Sequence, residues 1–193
     1  MLIRSALRYC IPGIAGLSLV FSGLAIAAFK TDSAKSNVTV VFKQLNVPVE
    51  AKFKKFNAQV DFNDAKPDTS KAVVDIDVSS FDLGDPQYNA EVLGKAWFNA
   101  AQFPKASFVS SSLKPASGAP AGSKYDVSGK LTIKGKTADV HFPLNVKKDG
   151  GATVFEGALP IKRLTFNIGE GEWKDTDTVA DEVVIKFKVV AVP

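Results

Sequence analysis

The sequence is poor in the side chains that hold metals or carry thiol chemistry, with one cysteine and one histidine in 193 residues. Structural zinc, haem attachment and iron–sulfur clusters each need several such ligands, and a disulfide within the chain needs a second thiol, so all are excluded. Neither sign of charge dominates, 24 Lys+Arg standing against 20 Asp+Glu. That balance lacks the basic excess of a protein that grips nucleic acid. Long apolar runs are scarce too: only residues 11–28 form one, which excludes a multi-span membrane protein.

That run has the layout of an export signal. Arg4 and Arg8 precede it and Ala25-Ile26-Ala27 closes it, so cleavage is expected after Ala27. Three residues separate the two arginines, which departs from the twin-arginine pattern. An uncleaved anchor is the rival reading, because roughly 18 apolar residues just span a bilayer. Cleavage removes Arg4, Arg8 and Cys10, leaving 166 residues, a balance of +2 and no thiol. Stability then rests on core burial. A domain of this size buries roughly two-thirds of its unfolded surface, so disulfides are dispensable even in an oxidising compartment.

What is abundant is alternation. Val38, Val40 and Phe42 alternate with Thr39 and Lys43, and Phe56, Ala58, Val60 and Phe62 with Asn57, Gln59 and Asp61. Ala72, Val74, Ile76 and Val78 share one face against Val73, Asp75, Asp77 and Ser79. Period two of this kind marks strands half buried against one interior. It breaks at Asp85-Pro86, where an N-capping carboxylate precedes a proline suited to the first helical position, and a helix is expected over 86–93, extending at most toward Phe98. Alternation returns over 105–113, 125–133 and 138–146, then around Phe155, Gly157, Leu159 and Ile161, and again in Val183, Ile185, Phe187 and Val189. Pro160 favours an edge position or an irregular end. The total is eight antiparallel strands, with one short helix after the third, in a single domain over 28–193. A closed eight-stranded barrel and a two-sheet sandwich both satisfy this pattern.

Candidate sites are few. The run from Gly129 through Lys134-Gly135-Lys136 to Thr137 has the wrong glycine spacing for a phosphate loop and alternates as a hairpin does. His141 shares a face with Thr137, Asp139 and Asn145, pointing outward, and Ser110-Ser111-Ser112 lack the nucleophile-elbow glycines. Glu170, Glu172, Asp175, Asp177, Asp181 and Glu182 lack calcium-loop spacing, so a solvated acidic loop is expected. Lys52, Lys54 and Lys55 beside Phe53 and Phe56 read as a solvated strand face, with an anionic lipid headgroup as the weaker alternative. Catalytic and metal sites are therefore expected to be absent. The aromatic stock points instead to an apolar interior. By parity, Phe42, Phe56, Val74, Ile76, Leu131, Leu159, Ile185 and Phe187 line a cavity, with Trp97, Phe98 and Phe108 near its helix-side mouth.

Several ordered blocks resemble the YceI-like, or polyisoprenoid-binding, periplasmic proteins. They are Ser80-Phe81-Asp82-Leu83-Gly84-Asp85, then Trp97-Phe98 through Phe103-Pro104-Lys105-Ala106-Ser107-Phe108, the 129–137 hairpin and residues 157–173. Ala51-Lys52-Phe53 departs from the Gly-x-Phe common in the family. The resemblance implies a lipocalin-like barrel whose apolar tunnel holds an isoprenoid lipid or quinone tail as ligand, with no other cofactor and no catalytic residues. It implies a periplasmic carrier and allows a membrane cytochrome or quinone system as partner. Nucleic acid is not expected as a partner, and the oligomeric state is left open, a homodimer included. The alternative functions are a ligand-free stress-response or interaction module with a filled barrel, and an accessory to a quinone-cytochrome system.

Overall fold

A computed structural model describes residues 29–192, so the expected leader, 1–27, lies outside the described residues. Eleven strands and one α-helix follow in chain order: β1 (Lys30–Thr31), β2 (Asn37–Gln44), β3 (Val47–Phe53), β4 (Phe56–Asp61), β5 (Lys71–Asp77), β6 (Phe81–Asp82), α1 (Pro86–Leu93), β7 (Lys105–Pro115), β8 (Lys124–Ile133), β9 (Lys136–Asp149), β10 (Ala152–Lys162) and β11 (Val179–Val192). All pair antiparallel in one sheet of order β4-β5-β7-β8-β9-β10-β11-β2-β3-β6, with β1 beside β11. The sheet curls far enough that Phe29 bridges to Val60 and the Thr31 hydroxyl donates to the Ala58 carbonyl, so β1 ties β11 to β4. Beyond β11, strands β2, β3 and β6 carry the sheet onward at the helix side.

The expected count of eight strands is therefore corrected to eleven, and the helix follows the sixth strand. The sequence hid β3 for a physical reason. Two-residue hairpins advertise themselves by Asn-Gly or Asp-Gly, but the β2–β3 turn uses Leu45 (φ 48°) and Asn46 (φ 64°) with no glycine, and Pro48 then interrupts strand propensity. The other two additions, β1 and β6, are two residues each and too short to show a period.

Elsewhere local chemistry and structure agree. Asp85 accepts from the Gln87 and Tyr88 amides at 2.7 and 3.3 Å, starting α1 as its capping residue, and Gly94 ends it. Lys134 and Gly135 both have positive φ, which matches the right-handed twist of a two-residue hairpin between β8 and β9. Pro160 lies in β10 beyond Gly157, where pairing to β9 stops while pairing to β11 continues. Its missing N–H thus falls on a local edge.

Candidate ligand cavity

The inner face of the sheet is set by parity and encloses a cavity of about 660 Å³, within the usual range for ligand pockets. The interior is not filled by side chains. Apolar lining follows β11 through Val179, Val183, Ile185, Phe187 and Val189, roughly 33 Å of strand. Phe42, Val74, Ile76, Phe108, Ile185 and Phe187 are only partly buried although they point inward, because they face the void.

Of the residues expected to line it, Phe42, Val74, Ile76, Trp97, Phe98, Phe108, Leu131, Leu159, Ile185 and Phe187 do so. Phe56 does not: at the first position of β4 it is partly buried and packs against the core beside the cavity. Phe108 is not at the mouth. Its ring lies 5.6 Å from Phe142, which lies 5.6 Å from Phe187, so the three form a ridge across the inner face. Glycines make room for that ridge. A Cβ on Gly129 would overlap the Phe108 ring, and one on Gly157 would approach the Phe187 ring to 2.5 Å.

The two ends differ. Away from the helix, Phe62 packs edge-on against Tyr125 at 5.6 Å and Phe155 at 5.4 Å, narrowing the interior, and the exposed Lys71 also lines it there. Outside this cluster the Tyr125 hydroxyl donates to Asp64, whose other oxygen takes Lys148 at 2.6 Å. Burial pushes the Tyr125 phenol up, whereas the Lys148 hydrogen bond holds the Asp64 carboxyl below its usual range. At the helix side the lining includes the exposed Gln44, Gly84, Asp85, Tyr88 and Glu91, which mark where the cavity reaches the surface. Tyr88, on α1, is 64% exposed there.

Sequence reasoning missed the residue that organises this mouth. Arg163 is 2% exposed and lines the cavity, with its guanidinium 5.7 Å from the Trp97 ring. Its Nε donates to the Ala180 carbonyl, Nη1 to Ile168 and Gly169, and Nη2 to Trp173 and Val179, at 2.6–3.3 Å. All five N–H groups are used, and no carboxylate among the described residues forms an ion pair with it. Burial pushes its pKa down, opposed by the charge of Asp181. Lys134, read as a hairpin tip, is likewise a clamp, donating to the Lys95 and Asn167 carbonyls and to Glu170 at 2.8–2.9 Å. Trp97 packs 5.3 Å from Trp173, and its indole nitrogen is the one buried side-chain polar atom among the described residues without a partner.

The other sequence candidates are placed elsewhere. His141 is exposed beside Ser128, Lys54 pairs with Asp82 at 2.7 Å, and Lys52 and Lys55 are exposed. In the acidic stretch Glu170 holds Lys134, Asp175 accepts from Thr178 and the Asp177 amide, and Asp181 accepts from the Leu164 amide.

Fold and cavity together define a class: an antiparallel all-β protein curled around an apolar interior that opens beside a short helix. Residues 29–191 match the family model of the YceI-like domain, and the chain belongs to that family. It is similar to BcnA of Burkholderia cenocepacia, with 56% identity and a TM-score of 0.80 over 84% of this chain and 99% of that one. Protein YceI of Salmonella newport (strain SL254) is 28% identical over 162 residues, which is 78% of this chain and 82% of that protein. A polyisoprenoid binding domain from Saccharophagus degradans, implicated in plant cell wall breakdown, shares the fold at 17% identity with a TM-score of 0.66, over 86% of this chain and 99% of that one.

Proposed function

We propose that the chain is a carrier rather than an enzyme, binding an isoprenoid lipid or the tail of an isoprenoid quinone in its cavity. The observation that carries this reading is the apolar void of about 660 Å³, lined almost throughout by aliphatic and aromatic side chains, in a chain of the YceI-like family. Each five-carbon unit moved from water into such a lining gains roughly 3–4 kcal/mol before ordering costs, at about 0.8 kcal/mol per CH₂. A membrane shelters the same tail equally well. Exchange therefore turns on shape and on contacts to the head of the lipid.

Export through the leader would place the carrier in the periplasm, where a membrane quinone-cytochrome system is a fitting donor or acceptor. Organic extraction of protein purified from its own host, followed by mass spectrometry, is expected to yield a long-chain isoprenoid. In a second measurement, a prenyl lipid at 100 times its Kd should stabilise the fold by about 2.7 kcal/mol, raising Tm by roughly 5–11 °C. An empty extract together with an unmoved Tm would end the proposal.

A further inference from the structure

The structure assigns a polarity to the ligand: we infer that the helix-side end of the cavity seats a hydrogen-bond acceptor, so an isoprenoid with an oxygen-bearing head is favoured over a bare hydrocarbon. The inference rests on the carrier reading above and adds the chemistry of the head group. Two independent features of one cavity wall point the same way. Trp97 lines the cavity, is 9% exposed, and its indole nitrogen has no acceptor among the described residues. An indole N–H can only donate, so its missing partner must be an acceptor.

The neighbouring Arg163 supplies the second feature. With every N–H already given to a backbone carbonyl, it has none left for a ligand. What it adds is a positive charge in the wall of an apolar cavity with no carboxylate in direct contact among the described residues, Asp181 acting on it from further off, which favours electron-rich oxygen and disfavours an ammonium head. The other polar groups of the lining differ from Trp97 in having a partner or in lying exposed. Ser70 accepts from the Asn63 amide at 2.9 Å and Ser110 from the Ala72 amide at 2.8 Å, each hydroxyl keeping its own hydrogen. Gln44, Lys71 and Tyr88 are exposed, and Asp85 and Glu91 at the rim present acceptors themselves. Among the described residues Trp97 alone has a buried side-chain polar atom with no partner. A quinone carbonyl, an ester or a phosphate meets the requirement, and squalene, an isoprenoid without oxygen, does not.

The test compares a prenyl quinone with squalene on the full chain. Its sequence has two tryptophans, Trp97 and Trp173, so a ¹⁵N-labelled sample gives two indole N–H resonances, assigned with a Trp173→Phe variant. The quinone should move the Trp97 resonance downfield and slow its exchange with water, while squalene should do neither. Trp97→Phe should weaken the quinone roughly three- to tenfold, the worth of one neutral hydrogen bond, and leave squalene within about twofold. A quinone that binds without moving the Trp97 N–H, or a variant that weakens both lipids alike, overturns the inference and leaves the carrier reading standing. Failure of both lipids to bind the unaltered protein removes the carrier reading itself.

Discussion

Replacing Arg163 by methionine keeps the length and apolar stem of the side chain and removes all five of its donors. Five backbone carbonyls, those of Ala180, Ile168, Gly169, Trp173 and Val179, then lose their partner. Hydrogen bonds from a charged donor are worth about 1.5–3 kcal/mol each, but they are not additive, and the variant also escapes the desolvation of a buried guanidinium. Taken together, a loss of roughly 3–5 kcal/mol is expected, the range for breaking a buried charged network. For a domain of this size that lowers Tm by roughly 6–20 °C. Thermal and urea melts followed by circular dichroism measure it. Hydrogen exchange should localise the damage to residues 163–181, since the carbonyls come from the link between the two 3₁₀ turns after β10, from the second of those turns and from the start of β11. Arg163→Lys, with three donors at a single point, should fall between the two. A methionine variant melting within about 2 °C of the parent would refute the assignment of Arg163 as the organiser of the mouth.

Gly129→Ala places a methyl against the Phe108 ring and 2.6 Å from the Val109 carbonyl oxygen; a loss of about 1–3 kcal/mol in urea melts is expected, with weaker lipid binding as Phe108 is pushed into the cavity. Leu45→Asn in the β2–β3 turn should instead stabilise by about 0.5–1 kcal/mol, because Leu45 holds φ at 48° while 68% exposed, and asparagine tolerates that region better. Asp82 gives a pH dependence. Hydrogen bonds from Lys54, Asn89 and the Gly84 amide hold its carboxyl far below the ordinary 3.8. The unfolded chain therefore takes up the proton first, so the contribution is complete above about pH 4 and drains away as pH falls toward the depressed folded value. Urea midpoints measured down a pH series should fall over that range, and Asp82→Asn should flatten the fall.

Most of the strands were legible because one buried face imposes period two on the chain. The runs around Val74, Leu131, Phe142 and Ile185 all carried it, and inward parity placed Phe42, Val74, Ile76, Leu131, Leu159, Ile185 and Phe187 on the cavity wall. Phe56 was missed because parity fixes the face of a strand and not the depth along it. The helix start was legible from Asp85-Pro86, since capping is a local interaction. Arg163 and Lys134 were not legible at all. Nothing in the residues beside them says that carbonyls 5 to 39 positions away will converge on one side chain.

The sequence by itself determined the period, the helix start and most of the turns, because each depends on residues within a few positions of one another. Only the tertiary structure decided that the sheet curls into one wall, that its interior stays open, and that a buried arginine and an unpaired indole stand at the open end. Those outcomes depend on strand register and on how side chains from distant strands fill a shared volume. No short stretch of chain holds that information.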